Sequence, residues 1–202
     1  MQTRDSDRAA SDGGRLADRV SSLSAVLSQV SRDATDVFGA LTGDQLNWTP
    51  DPKRWSVAQC FDHLITTHAK YFPIFTRLAA GGVEHSWWER HSPFSGFFGR
   101  LFISTLDPAN TTRRRTTSNA MPSSSAIGAD IITRFAAHQA ELMAHVRRLP
   151  PSLDPGVIIT SPLLSVVTYR LDDVLVFLGL HCRRHFEQAR RVKEQGDFPA
   201  LN

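Results

Sequence analysis

Residues 171–194 carry a stripe at steps of three and four: Leu171, Val174 and Leu178, then His181, His185, Gln188 and Val192. This is the pattern of a helix that buries one face against its neighbours. His181 and His185 stand one above the other on that face. An imidazole placed in a core is costly unless its nitrogens find partners. Two of them on one core-facing stripe are placed to hold a single cation, and the remaining chain reads as their housing.

Three further stripes have the same period. The first runs Leu16, Val20, Leu23, Leu27, Val30, Ala34, Val37, Leu41, with Gly43 expected to end the helix. A loop rich in Trp and Pro, 46–55, follows. Ser56 and Gln59 then form a capping box that opens a second helix through Val57, Cys60, Leu64, Tyr71, Phe75 and Leu78. Pro73 predicts a kink near Ala69, and Gly81-Gly82 a stop. A third helix is predicted over 127–149, with Ile131, Phe135, His138, Leu142, His145 and Leu149 on one face and Pro150-Pro151 ending it. The fourth holds the two histidines and is predicted to be capped by Asp172 or its neighbour. No alternating strand pattern and no internal repeat is visible. The expected fold is all-α: a four-helix bundle with a long connection between helices 2 and 3. Residues 1–14 are expected as a disordered tail, 15–196 as the bundle and 197–202 as a C-terminal tail.

The long connection, 83–125, is the least patterned part. Trp87-Trp88 and the apolar run 93–102 suggest a short helix or lid, and Arg113 to Arg115 an exposed loop. At 202 residues the chain suits one domain. A net charge of +3 is too small to argue for nucleic acid without a concentrated patch. The longest apolar run, 174–180, is far short of a membrane span. Cys60 and Cys182 lie far apart and form no CxxC motif, which suits a reducing compartment. A cytoplasmic protein that binds neither nucleic acid nor membrane is the expectation.

HxxxH is a ligand spacing, but the zincin glutamate is missing, because Cys182 stands in its place. The local pattern leaves two readings: two metal ligands, or two buried histidines satisfied by hydrogen bonds. A third ligand must come from another helix. His63 is the best placed, with His138 and His145 as alternatives. His68, His85 and His91 read as surface residues, and Cys60 as a small buried hydrophobe. No convincing general base is visible: Asp62 should point away, and Glu141 is the other carboxylate considered.

Asn47-Trp48 with Pro50, then Trp55-Ser56-Val57-Ala58-Gln59 and Asp62-His63-Leu64, resembles the first motif of the DinB-like superfamily. His181-Cys182-Arg183-Arg184-His185-Phe186-Glu187-Gln188 resembles its second, two His four apart before an aromatic and a Gln. These are metal-binding four-helix bundles. One histidine of the second helix and the pair of the fourth bind a divalent metal in that family, commonly zinc or nickel. The resemblance therefore implies His63, His181 and His185 as ligands, and points to a homodimer. Three protein ligands leave a coordination position open, the catalytic arrangement for zinc. Some relatives are transferases or isomerases that use low-molecular-weight thiols on a small-molecule substrate. Three functions follow as expectations: a thiol-using metal-dependent transferase, a metal-dependent hydrolase, or a non-catalytic metal- or ligand-binding stress-response protein.

Overall fold

All four stripes form helices in a computed structural model of the chain, which describes residues 2–82 and 126–200. The 83–125 connection lies outside the described residues, and with it the expected lid, the arginine run, His85 and His91. Helix α1 spans Gln2–Phe38. It begins where a tail through residue 14 was expected: no proline interrupts that stretch, and extending a helix gains one hydrogen bond per residue fixed.

Gly43 does not simply end this helix. It opens a short α2, Gly43–Asn47. Thr42 caps it by accepting from the Gln45 N–H at 3.3 Å, while the Gln45 amide oxygen accepts from the Thr42 N–H at 2.9 Å. This Thr-x-x-Gln box is a local signal present in the sequence. The Gln45 amide NH₂ also donates to the carbonyls of Pro199 and Ala200, and Phe198 packs edge-on against Trp48. The end of the chain is thus tied down as far as Ala200, where the sequence suggested a tail. Asn47 pairs with the backbone of Ile127 in both directions, at 2.8 and 2.9 Å, and so anchors the approach to the next long helix.

The predicted second helix is two. Helix α3 spans Val57–Ala69 and α4 spans Phe72–Ala79, with Pro73 in the first turn of α4, where its missing N–H costs nothing. The break falls at the predicted place. Helix α4 ends with Gly81 at φ +81°, with Gly81 N–H donating to the Leu78 carbonyl and Gly82 N–H to that of Arg77. This left-handed stop favours glycine.

Helix α5 spans Ile131–Arg147. Two short strands follow, β1 at Ile158–Thr160 and β2 at Thr168–Arg170, paired antiparallel with Ile159 opposite Tyr169. The chain is mostly helical, as expected, with one small hairpin that the all-α expectation did not include. Strands of three residues carry too little alternation to be read. Helix α6, Leu171–Lys193, starts at Arg170 without a side-chain cap. Asp172 was expected in that role. Instead the carbonyls of Val157 and Pro155 accept the N–H groups of Leu171 and Asp172, so the segment leading into β1 does the capping.

Helices α1 and α3 each pack against both α5 and α6. One phenylalanine from each long helix meets at the centre. Phe38 lies 5.4 Å from Phe61 and 5.8 Å from Phe186, and Phe61 lies 4.8 Å from Phe135. Such tilted and edge-on pairs add to the area they bury. Gly179, midway along α6, is buried against α1. A Cβ there would sit 3.6 Å from Leu23 and Val26, an ordinary contact. Gly179→Ala is therefore expected to stabilise the protein by about 0.5–1 kcal/mol in denaturant titration. A loss of stability would show a tighter α1–α6 interface. Among the described residues no helix is long and apolar enough to cross a membrane.

Candidate metal centre

The Ser56–Gln59 capping box sets the start of α3, with backbone-to-side-chain bonds of 3.1 and 3.0 Å. Two turns later His63 enters the core. The α6 stripe brings His181 and His185 to meet it. All three are nearly inaccessible to solvent, and one ring nitrogen of each lies within 4.8 Å of the others. The Nε2 atoms of His63 and His181 are 3.1 Å apart. Ring centroids lie 4.5 Å apart for His63 and His185, and 4.6 Å for His181 and His185.

Aromatic rings hold these imidazoles in place. Half-buried Trp55, the residue before the α3 cap, stacks on His185 at 5.6 Å and leans on His63 at 4.8 Å. Phe177, one turn before His181, stacks on that ring at 5.0 Å. Burial, with the neighbouring imidazoles and Arg184 adding to it, holds His181 and His185 well below the ordinary histidine value. Both are therefore neutral at neutral pH, with lone pairs available.

The geometry suits a divalent ion. Two nitrogens bound tetrahedrally to zinc at 2.0–2.1 Å stand about 3.3 Å apart, close to the separation found for His63 and His181. Three imidazole nitrogens are a donor set that zinc and nickel accept. Partners also exist for the ring nitrogens on the far sides. Thr67 Oγ1 lies 3.3 Å from Nδ1 of His63, and Nε2 of His68 lies 3.1 Å from Nδ1 of His181. Such outer contacts fix the orientation of ligating histidines. Nδ1 of His185 has no hydrogen-bond partner among the described residues.

A family model of the DinB superfamily matches residues 26–189. The chain belongs to the DinB superfamily. No curated protein and no solved structure matches it. The DinB superfamily includes metal-binding proteins, and the buried triad of this member has the composition and spacing to hold an ion.

The other candidates fall elsewhere. His138 is buried but packs between His68, at 6.4 Å, and Phe72, at 5.2 Å. His145 stacks on Phe72 near the surface and contacts Thr76. Neither joins the triad. Glu141 is exposed, and Asp62, though buried, is not one of the cluster. Cys60 and Cys182 are wholly buried with thiols pushed far up by burial, so they behave as core residues.

His68 is the residue that sequence reading misplaced. The pattern alone reads it as a surface residue, and it is fully buried. The signal was present: it stands four after Leu64 and three before Tyr71, filling a gap in the α3 stripe. A groove of about 580 Å³ between α1 and α5, bordered by Leu16, Val20, Val146 and Leu149, includes none of the site histidines in its lining.

Proposed function

We propose that His63, His181 and His185 hold one divalent ion, zinc or nickel, inside a four-helix bundle, and that this DinB protein is a transferase acting with a low-molecular-weight thiol. The observation that carries the metal reading is the convergence of three buried imidazoles. No fourth His, Cys, Asp or Glu joins them among the described residues. A bound ion supplies positive charge that favours deprotonation of a thiol brought beside it.

The thiol reading is preferred to hydrolysis for a chemical reason. The ion would acidify a bound water as it would a thiol, but no carboxylate joins the three imidazoles among the described residues to guide that water as it attacks. A thiol becomes the reactive thiolate once its proton has passed to solvent. Its sulfur bonds to an electrophilic atom of a small substrate as the leaving group departs with the bonding pair. Half-buried Trp55 packs against His63 and His185 and gives the site an apolar wall, which would favour a desolvated thiolate. The two unpaired cysteines suit a reducing cytoplasm.

Incubation with a bacterial thiol and a reactive electrophile is expected to give conjugation that depends on added metal. It should fall to the uncatalysed rate in His63→Ala and His185→Ala. Ester or amide hydrolysis without thiol would transfer the reading to water activation. Neither activity in fully loaded protein would leave a metal-binding role. The family resemblance also leads us to propose a homodimer, which light scattering at micromolar concentration tests. A monomer there would remove that part.

A further inference from the structure

His181 has a histidine at each ring nitrogen. Its Nε2 faces Nε2 of His63 at 3.1 Å, and its Nδ1 faces Nε2 of His68 at 3.1 Å. A neutral imidazole carries one N–H and one lone pair. An ion shared with His63 and His185 requires the lone pair on Nε2, so the proton must reside on Nδ1. The group that meets this proton is Nε2 of His68.

We propose that His68 is a positioning residue of the metal centre: it accepts a hydrogen bond from Nδ1–H of His181 and thereby aims the Nε2 lone pair of that ligand at the ion. The proposal rests on the metal reading above. One helix supplies both partners, since His63 and His68 are five residues apart on α3 and grip the His181 ring from its two nitrogens. Phe177 fixes the plane of that ring from one face. The His68 ring is wholly buried, so bulk water cannot take over as acceptor. His138 stacks beside it and restrains its orientation. Thr67 stands in the same relation to Nδ1 of His63, with a hydroxyl that can donate or accept. His68 is the more demanding partner. It must hold its own proton on Nδ1, and that atom has no hydrogen-bond partner among the described residues.

The test is zinc affinity of the full chain by chelator competition, for wild type, His68→Leu and His68→Gln. The leucine fills space without an acceptor, and the glutamine restores an acceptor oxygen. His68→Leu is expected to bind zinc about 10–100-fold more weakly, as for other outer partners of ligating histidines, and His68→Gln to recover most of that loss. Equal affinity of wild type and His68→Leu would overturn the proposal, as would a glutamine variant as weak as the leucine one. Should His68→Leu fail to fold, ¹⁵N NMR of zinc-loaded wild type decides. A proton on Nδ1 of His68 supports the proposal, and one on Nε2 refutes it. Wild type that takes up neither zinc nor nickel would instead overturn the metal reading and this inference with it.

Discussion

Protein carrying His185→Ala is expected to purify without zinc or nickel while keeping its helical circular dichroism. An ion at the triad has three protein nitrogens, and removing one leaves only His63 and His181. The loss should exceed the roughly 10–100-fold that follows from changing an outer partner. Elemental analysis after dialysis reads it directly. His185 lies under Trp55 rather than in the phenylalanine cluster, so the fold survives the change. His181→Ala should lose metal as well and also destabilise the core. Its ring packs on Phe177 and satisfies His68, which would be left a buried polar group without a partner. His138→Ala and His145→Ala should retain the ion, because both rings pack around Phe72 instead. Metal retained by His185→Ala, or lost by His145→Ala, would show that the ligand set is wrong.

Acid is expected to destabilise the metal-free protein steeply. His68, His181 and His185 are all held well below their ordinary value of 6.5, first by burial and then by the charge of neighbouring groups: His138 and His63 act on His68, His185, His68, His63 and Arg184 on His181, and His63, Arg184 and His68 on His185. In the unfolded chain the same rings protonate as pH falls through 6.5. The unfolded state therefore binds more protons than the folded one, and stability drops as pH drops. Each such histidine contributes a slope approaching about 1.4 kcal/mol per pH unit below 6.5, so three together approach about 4 kcal/mol per unit. His138, lowered by its burial, adds in the same direction. Bound metal raises the whole curve by mass action and leaves its sign unchanged. Denaturant titrations at pH 7.5, 6.5 and 5.5 in the presence of a chelator measure the slope. Flat or rising stability across that range would mean that the rings are solvated or already charged in the fold.

Much of this was readable from the residues because helical spacing is a local property. Steps of three and four identified the four long helices, and Pro73 marked the division between α3 and α4. Ser56 with Gln59 placed the start of α3, and so the depth of His63. The HxxxH spacing paired His181 with His185 on one face of α6 without any knowledge of neighbours.

What escaped was set by distant contacts. The hairpin comprises two strands of three residues whose stabilising pairs lie across a turn. Helix α6 is capped by carbonyls of Val157 and Pro155, which no local pattern around Asp172 announces. The burial of His68 shows the boundary most plainly. Spacing allowed it a place in the α3 stripe. Only the packing of α3 against both α5 and α6 closes water off from the His68 ring and sets it against His181. The same packing excludes His138 and His145 from the triad although their stripe resembles that of His63. Which faces are apolar, and which histidines share a helix face, follows from the residues alone, since a 3.6-residue period fixes direction along one element. Tertiary structure decided which of those faces meet, because the depth and rotation of each helix depend on how all their side chains interlock.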